Sequence, residues 1–151
     1  MKEWLVALFV MAALLVASLA FGQHEKPAAP NHKAVALVYG ELAKAPDKAR
    51  AKRNPMENDP DAVTAGLNLF EQHCAECHGN AGYGTQKAPS LRAEEIQSAA
   101  PGAIFWILTN GVVRRGMPVW SKLPEAQRWQ LVTFIKSLGP RSPNSIEKQS
   151  P

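Results

Sequence analysis

The chain has 151 residues, 46% of them hydrophobic, with 17 Lys and Arg against 13 Asp and Glu for a net charge of +4. That length allows one small domain with extensions. The positive charge is spread thinly and is not interleaved with aromatics, which argues against a nucleic-acid partner.

From the N-terminus, Trp4 to Phe21 is apolar apart from Ser18, with Lys2 on its positive flank opposed by Glu3. Small residues at Ala17, Ser18, Ala20 and Gly22 offer cleavage after Ala20 or Gly22. The run is also just long enough to span a bilayer. Residues 1–22 therefore read as a cleaved secretory signal, the reading the small residues favour, or as an uncleaved N-terminal anchor. Both deliver the remainder across a membrane. The expected location is the periplasm, or the periplasmic face of the inner membrane. No cysteine follows the run, which excludes lipid attachment there.

Residues 23–60 form an Ala/Pro/Lys-rich extension with one apolar patch at Ala34 to Tyr39. Lys44, Lys48, Arg50, Lys52 and Arg53 gather in it against Asp47 alone, as a solvated surface or a docking patch for an acidic partner. Residues 61–139 read as the compact unit. Residues 140–151 (PRSPNSIEKQSP) read as a flexible tail.

The compact unit reads as all-α. Asp59-Pro60 supplies an N-cap and a first-turn proline, and Asp61 suits the helix dipole. Val63, Leu67, Phe70, Cys74 and Cys77 then recur at four- and three-residue steps, so the cysteines are expected to continue the apolar face of this helix. Gly79 to Gly84 (GNAGYG) is a turn-rich loop that lacks the signature of a phosphate cradle. A second helix is predicted over Ile104–Thr109, ended by Asn110-Gly111. A third runs from Pro124-Glu125 to Leu138, with Leu131, Phe134, Ile135 and Leu138 on one side and Gly139-Pro140 as its stop.

Both cysteines of the chain fall within Cys74-Ala75-Glu76-Cys77-His78. The C-x-x-C-H spacing is that of covalent c-type haem attachment. On a helical turn, residues three apart share a face, so two thiols can meet the two haem vinyl groups while the adjacent imidazole reaches the iron. Three other readings compete. A redox dithiol would want a βαβ pattern, which is missing. Half a zinc site would want a second Cys or His pair. A plain disulfide would make His78 coincidental. A compact unit of this size has a meagre core, which one covalently held apolar haem c would reinforce.

Met117, in Arg114-Arg115-Gly116-Met117-Pro118 between two helices, is the candidate for the second axial position, with a flexible core filler as the alternative. His24, His32 and His73 are the rival ligands. The first two lie in the extension, and His73 is too close to Cys74 along the chain to reach the opposite haem face.

These residues resemble the class I cytochrome c family, in its short bacterial monohaem form. The resemblance covers about residues 61–139. It rests on Gly66-x-x-x-Phe70, Cys74-x-x-Cys77-His78-Gly79, Gly82-x-Gly84, Ala88-Pro89-Ser90-Leu91, Asn110-Gly111, Gly116-Met117-Pro118, and a last helix with Trp129 and Phe134. It implies that Cys74 and Cys77 bind one haem c covalently, and that His78 and Met117 are its iron ligands. It further implies that the Pro89 carbonyl accepts the Nδ1 hydrogen of His78, fixing its tautomer. Gly66 corresponds to the small residue where first and last helices cross, with Phe70, Leu131 and Phe134 around that contact. Arg114 and Arg115 have no fixed family counterpart; they are placed either near the haem propionates or as exposed surface charge.

The expected function is one-electron transfer between redox partner proteins of the respiratory chain, as a carrier and not itself an enzyme. The alternative is a cytochrome c subunit of a membrane-bound respiratory or dehydrogenase complex, held through residues 1–22. If Met117 does not bind, a five-coordinate haem would suit gas sensing or weak peroxidase chemistry, though the sequence offers no distal acid–base residues for it.

Overall fold

The computed structural model describes residues 39–139. The expectations for residues 1–22, for His24 and His32, and for the tail from 140 lie outside the described residues. Among the described residues six α-helical segments occur in order: α1 (Asp47–Arg50), α2 (Pro60–His73), α3 (Ala75–His78), α4 (Glu94–Gln97), α5 (Pro101–Asn110) and α6 (Glu125–Ser137). Single 3₁₀ turns lie at Leu42–Lys44 and Val113–Arg115. The one β pairing among the described residues is an isolated bridge between Val112 and Met117. The all-α expectation holds.

Helix α2 starts where Asp59-Pro60 predicts. The Asp59 carboxylate accepts the Asp61 and Ala62 backbone N–H groups at 2.9 and 3.3 Å, and Pro60 occupies the first turn, where no N–H is needed. α2 crosses α6 at Gly66. A Cβ on Gly66 would stand 2.1 Å from the Gln130 carbonyl oxygen and 2.7 Å from Phe134 Cβ, so only glycine lets the backbones approach this closely. Around the crossing Phe70, Leu131 and Val132 are fully buried, and the Phe70 and Phe134 rings lie 5.1 Å apart. Phe105 of α5 stacks on Trp129 of α6 at 4.1 Å. The short α4 is tied to α6 by Gln97, whose side-chain amide donates to the Leu91 and Ile135 carbonyls at 2.7 and 2.9 Å.

Two elements differ from the sequence expectation. The α2 helix does not run through the cysteines: it ends at His73, and Cys74 leaves helical geometry at φ −123°, ψ −34°. Helix α5 begins at Pro101, three residues before Ile104. Pro101 fits the first helical turn, where no N–H is needed. Gly102 is required by packing, since a Cβ there would lie 2.0 Å from the Ala49 carbonyl oxygen.

That contact belongs to residues 39–60, which pack on the helical body. Ala45 is buried, and buried Asn54 donates from Nδ2 to Thr133 Oγ1 on α6 at 2.8 Å. Thr133 Oγ1 in turn lies 3.1 Å from the Met56 carbonyl. Met56 is half-buried against the core. Of the basic cluster, Lys44 and Arg50 pair with Glu41 and Asp47 at the surface.

Candidate functional site

The break after α2 builds the site. Cys74 caps both helices. Its carbonyl accepts the N–H groups of Cys77 at 3.1 Å and His78 at 2.9 Å, closing one turn that carries both thiols and the imidazole. Ala75 is buried and roots this turn in the core. Gly79, at φ +75°, then turns the chain away. Cys74 and Cys77 are half-buried free thiols. Burial, with Cys77 beside it, pushes the Cys74 thiol up to about 12. A catalytic dithiol needs the opposite, a stabilised thiolate.

His78 points its Nδ1 at the Pro89 carbonyl, 2.9 Å away. A carbonyl can only accept, so Nδ1 carries the hydrogen and Nε2 keeps its lone pair. Burial pulls the His78 pKa below the ordinary imidazole value and outweighs the Pro89 bond, which acts the other way. The ring is thus held neutral, as a metal-binding imidazole must be.

The Pro89 carbonyl is fixed by a cross-braced loop. Gly84 donates to the His78 carbonyl at 2.8 Å, and Leu91 to the Gly82 carbonyl at 2.8 Å. Arg92 Nε reaches the Ala81 carbonyl at 2.8 Å, its guanidinium also donates to the Leu138 carbonyl, and Tyr39 donates its hydroxyl to the Ser90 carbonyl at 3.1 Å.

Met117 lies in the second loop. Its N–H and carbonyl pair with Val112 at 3.2 and 3.0 Å, enclosing the Val113–Arg115 turn, and Gly116 adopts φ +88°. The Met117 side chain is half-buried against the core, as are Leu67, Cys74 and Trp120. His73 is exposed and its ring packs 5.2 Å from Trp120. Arg114 and Arg115 are exposed and turn toward Glu41. Arg114 donates to that carboxylate and Arg115 Nε lies 3.8 Å from it. In the sequence Glu41 belongs to no motif, and Tyr39 only closes the apolar patch that starts at Ala34.

The donor set suits one group. Among the described residues no three His, Cys, Asp or Glu side chains converge as a metal cluster, so the Cys pair lacks the companions of a structural zinc site. Two unpaired thiols one turn apart, beside a neutral imidazole with its outer nitrogen free, fit covalent haem c.

Residues 61–135 match the family model described as cytochrome C oxidase, cbb3-type, subunit III. The chain is 33% identical to the cbb3-type cytochrome c oxidase subunit CcoP of Rubrivivax gelatinosus over 131 residues, 85% of this chain and 41% of that protein. It is 29% identical over 99 residues to subunit FixP of Sinorhizobium medicae (strain WSM419), 58% of this chain and 34% of the relative. The chain thus spans between a third and two fifths of these curated relatives. Among solved structures, cytochrome CL from Methylophaga aminisulfidivorans MPT is similar with a TM-score of 0.51 and 25% identity, over 80% of this chain and 73% of that one.

Proposed function

Given that the chain belongs to the class I cytochrome c family, we propose that it is an electron-transferring cytochrome c subunit of a membrane-bound respiratory oxidase, carrying one haem c. The observation that carries the subunit assignment is the match of residues 61–135 to the oxidase subunit model, in line with two curated relatives named as subunits of that oxidase. A second reading, a free periplasmic carrier, is favoured by the small-residue cleavage pattern at Ala17, Ser18, Ala20 and Gly22.

Haem c, when bound, supplies an iron that exchanges one electron at a time. Cys74 and Cys77 would hold it by thioethers. His78 would offer Nε2 to the iron, and the Pro89 carbonyl keeps that ring oriented and raises its basicity through the Nδ1 hydrogen bond. Met117 would offer its thioether sulfur to the same iron, and a neutral thioether there would favour the reduced state relative to a second imidazole. An iron held by His78 and Met117 together would be suited to electron relay rather than to binding a substrate. The half-buried Leu67 and Trp120 keep the surroundings apolar. Partner oxidoreductases would dock transiently through a small interface.

The test is expression of the full chain with a haem-attachment system, followed by fractionation, intact mass and purification from membranes. The proposal expects one haem of added mass, an intact Met1–Gly22 in the membrane fraction, and co-purifying oxygen-reducing activity. A soluble chain beginning near Phe21 or Gln23 without that activity would give the free-carrier reading instead. A chain of bare peptide mass would overturn both.

A further inference from the structure

One short segment ahead of the first long helix touches both loops that carry the candidate iron ligands. The Tyr39 hydroxyl holds the Ser90 carbonyl, on the residue next to Pro89, whose own carbonyl orients His78. Two residues on, the Glu41 carboxylate gathers Lys44 at 2.8 Å, Arg114 in direct contact and Arg115 at 3.8 Å. Arg114 and Arg115 stand three and two residues before Met117.

Burial separates anchor from load. The Glu41 side chain is 14% exposed, while those of Arg114 and Arg115 are 66% and 40% exposed. The carboxylate is seated and the arginines reach in to it. Their turn has little packing of its own: Val113 is 69% exposed, and a Cβ on Gly116 would meet nothing within 4 Å. The backbone links the turn rigidly to Met117. Arg115 donates to the Val112 carbonyl at 2.8 Å, Gly116 to Val113 at 3.0 Å, and Val112 is doubly bonded to Met117. A displaced arginine pair therefore displaces the methionine.

We propose that Tyr39–Glu41 is a strap that sets the Met117 loop against the His78 loop, with Glu41 a positioning residue acting through Arg114 and Arg115. This rests on Met117 as an iron ligand. Single exposed ion pairs contribute little, but here three cations share one sheltered carboxylate. Cutting the strap raises the fraction of molecules with Met117 detached. The apparent dissociation constant of a competing ligand falls by the same factor.

The experiment titrates imidazole into the ferric full-length holoprotein, following the methionine–iron charge-transfer band. Wild type is expected to show the band and Met117→Ala to lack it. Glu41→Gln should keep the band at zero imidazole but bind imidazole roughly three- to fivefold more tightly. Combining it with Arg114→Gln and Arg115→Gln should add little, because all three remove one tie. Tyr39→Phe should shift affinity in the same direction. A wild-type spectrum without the band, unchanged by Met117→Ala, overturns the ligand assignment and the strap with it. A band lost in Met117→Ala, with imidazole affinity unaltered in Glu41→Gln, overturns the strap alone.

Discussion

Replacing Gly66 by alanine sets helix propensity against helix crossing. Propensity favours alanine by about 1 kcal/mol in a helix interior. The crossing opposes it, because the new methyl would lie 2.1 Å from the Gln130 carbonyl oxygen and 2.7 Å from Phe134 Cβ. Relief requires α2 and α6 to part by roughly 1 Å, since neither obstacle is the free end of a flexible side chain. That motion loosens Phe70, Leu131 and Val132, all fully buried at the crossing, and the 5.1 Å Phe70–Phe134 pair. Overpacking costs about 1–3 kcal/mol and the aromatic pair about 0.5–1.5 kcal/mol. After the propensity gain, a net loss of about 1–3 kcal/mol remains, or a Tm lower by about 5–20 °C for a domain of this size. Thermal and guanidinium unfolding of the holoprotein measure it. Asn68→Ala, on the exposed side of α2, serves as control and should be neutral or slightly stabilising. A Gly66→Ala protein as stable as wild type would refute the close-crossing argument.

Thr133→Val removes the acceptor of Asn54 Nδ2 and leaves that buried amide unsatisfied; urea unfolding should report a loss of about 1–3 kcal/mol. Bonds from Lys44 and Arg114 hold the Glu41 carboxyl down from its ordinary 4.5 to about 2. The unfolded chain therefore binds the proton first, and the Glu41 contribution is full above about pH 4.5 and disappears as pH falls toward 2. The Tm difference between wild type and Glu41→Gln should shrink over that window, and a constant difference from pH 7 to pH 2.5 would contradict the ion-pair geometry. Cys74→Ala with Cys77→Ala should yield a haem-free chain with most of its far-UV helical signal lost, because so small a core depends on the attached group; a well-folded double mutant would count against that dependence.

What could be read in advance follows from how local its causes are. The start of α2 is written in two residues, Asp59 and Pro60, and α6 runs Glu125–Ser137 almost as its apolar spacing and the following Gly139 predict. The Cys74–His78 turn is legible because its chemistry demands a fixed spacing. The break at Cys74 is not, since the apolar steps from Val63 to Cys77 suit one continuous helix as well as two. Nor is the start of α5 at Pro101-Gly102, because the reason for the glycine, the Ala49 carbonyl, lies about fifty residues away. The four-residue α4 is too short for any periodicity to register. Tyr39, Glu41 and Asn54 sit in the Ala/Pro/Lys-rich extension, and their partners Ser90, Arg114 and Thr133 are remote in sequence.

The seating of Ala49 against Gly102, and of Asn54 against Thr133, bears on where this protein can be cut. A version trimmed to begin at Asp61 keeps every candidate haem-binding residue, yet it strips the lid from the start of α5 and opens a polar wound in α6. A piece that keeps both seams reaches back at least to Ala49, ahead of the border at Asp61 that the sequence pattern draws.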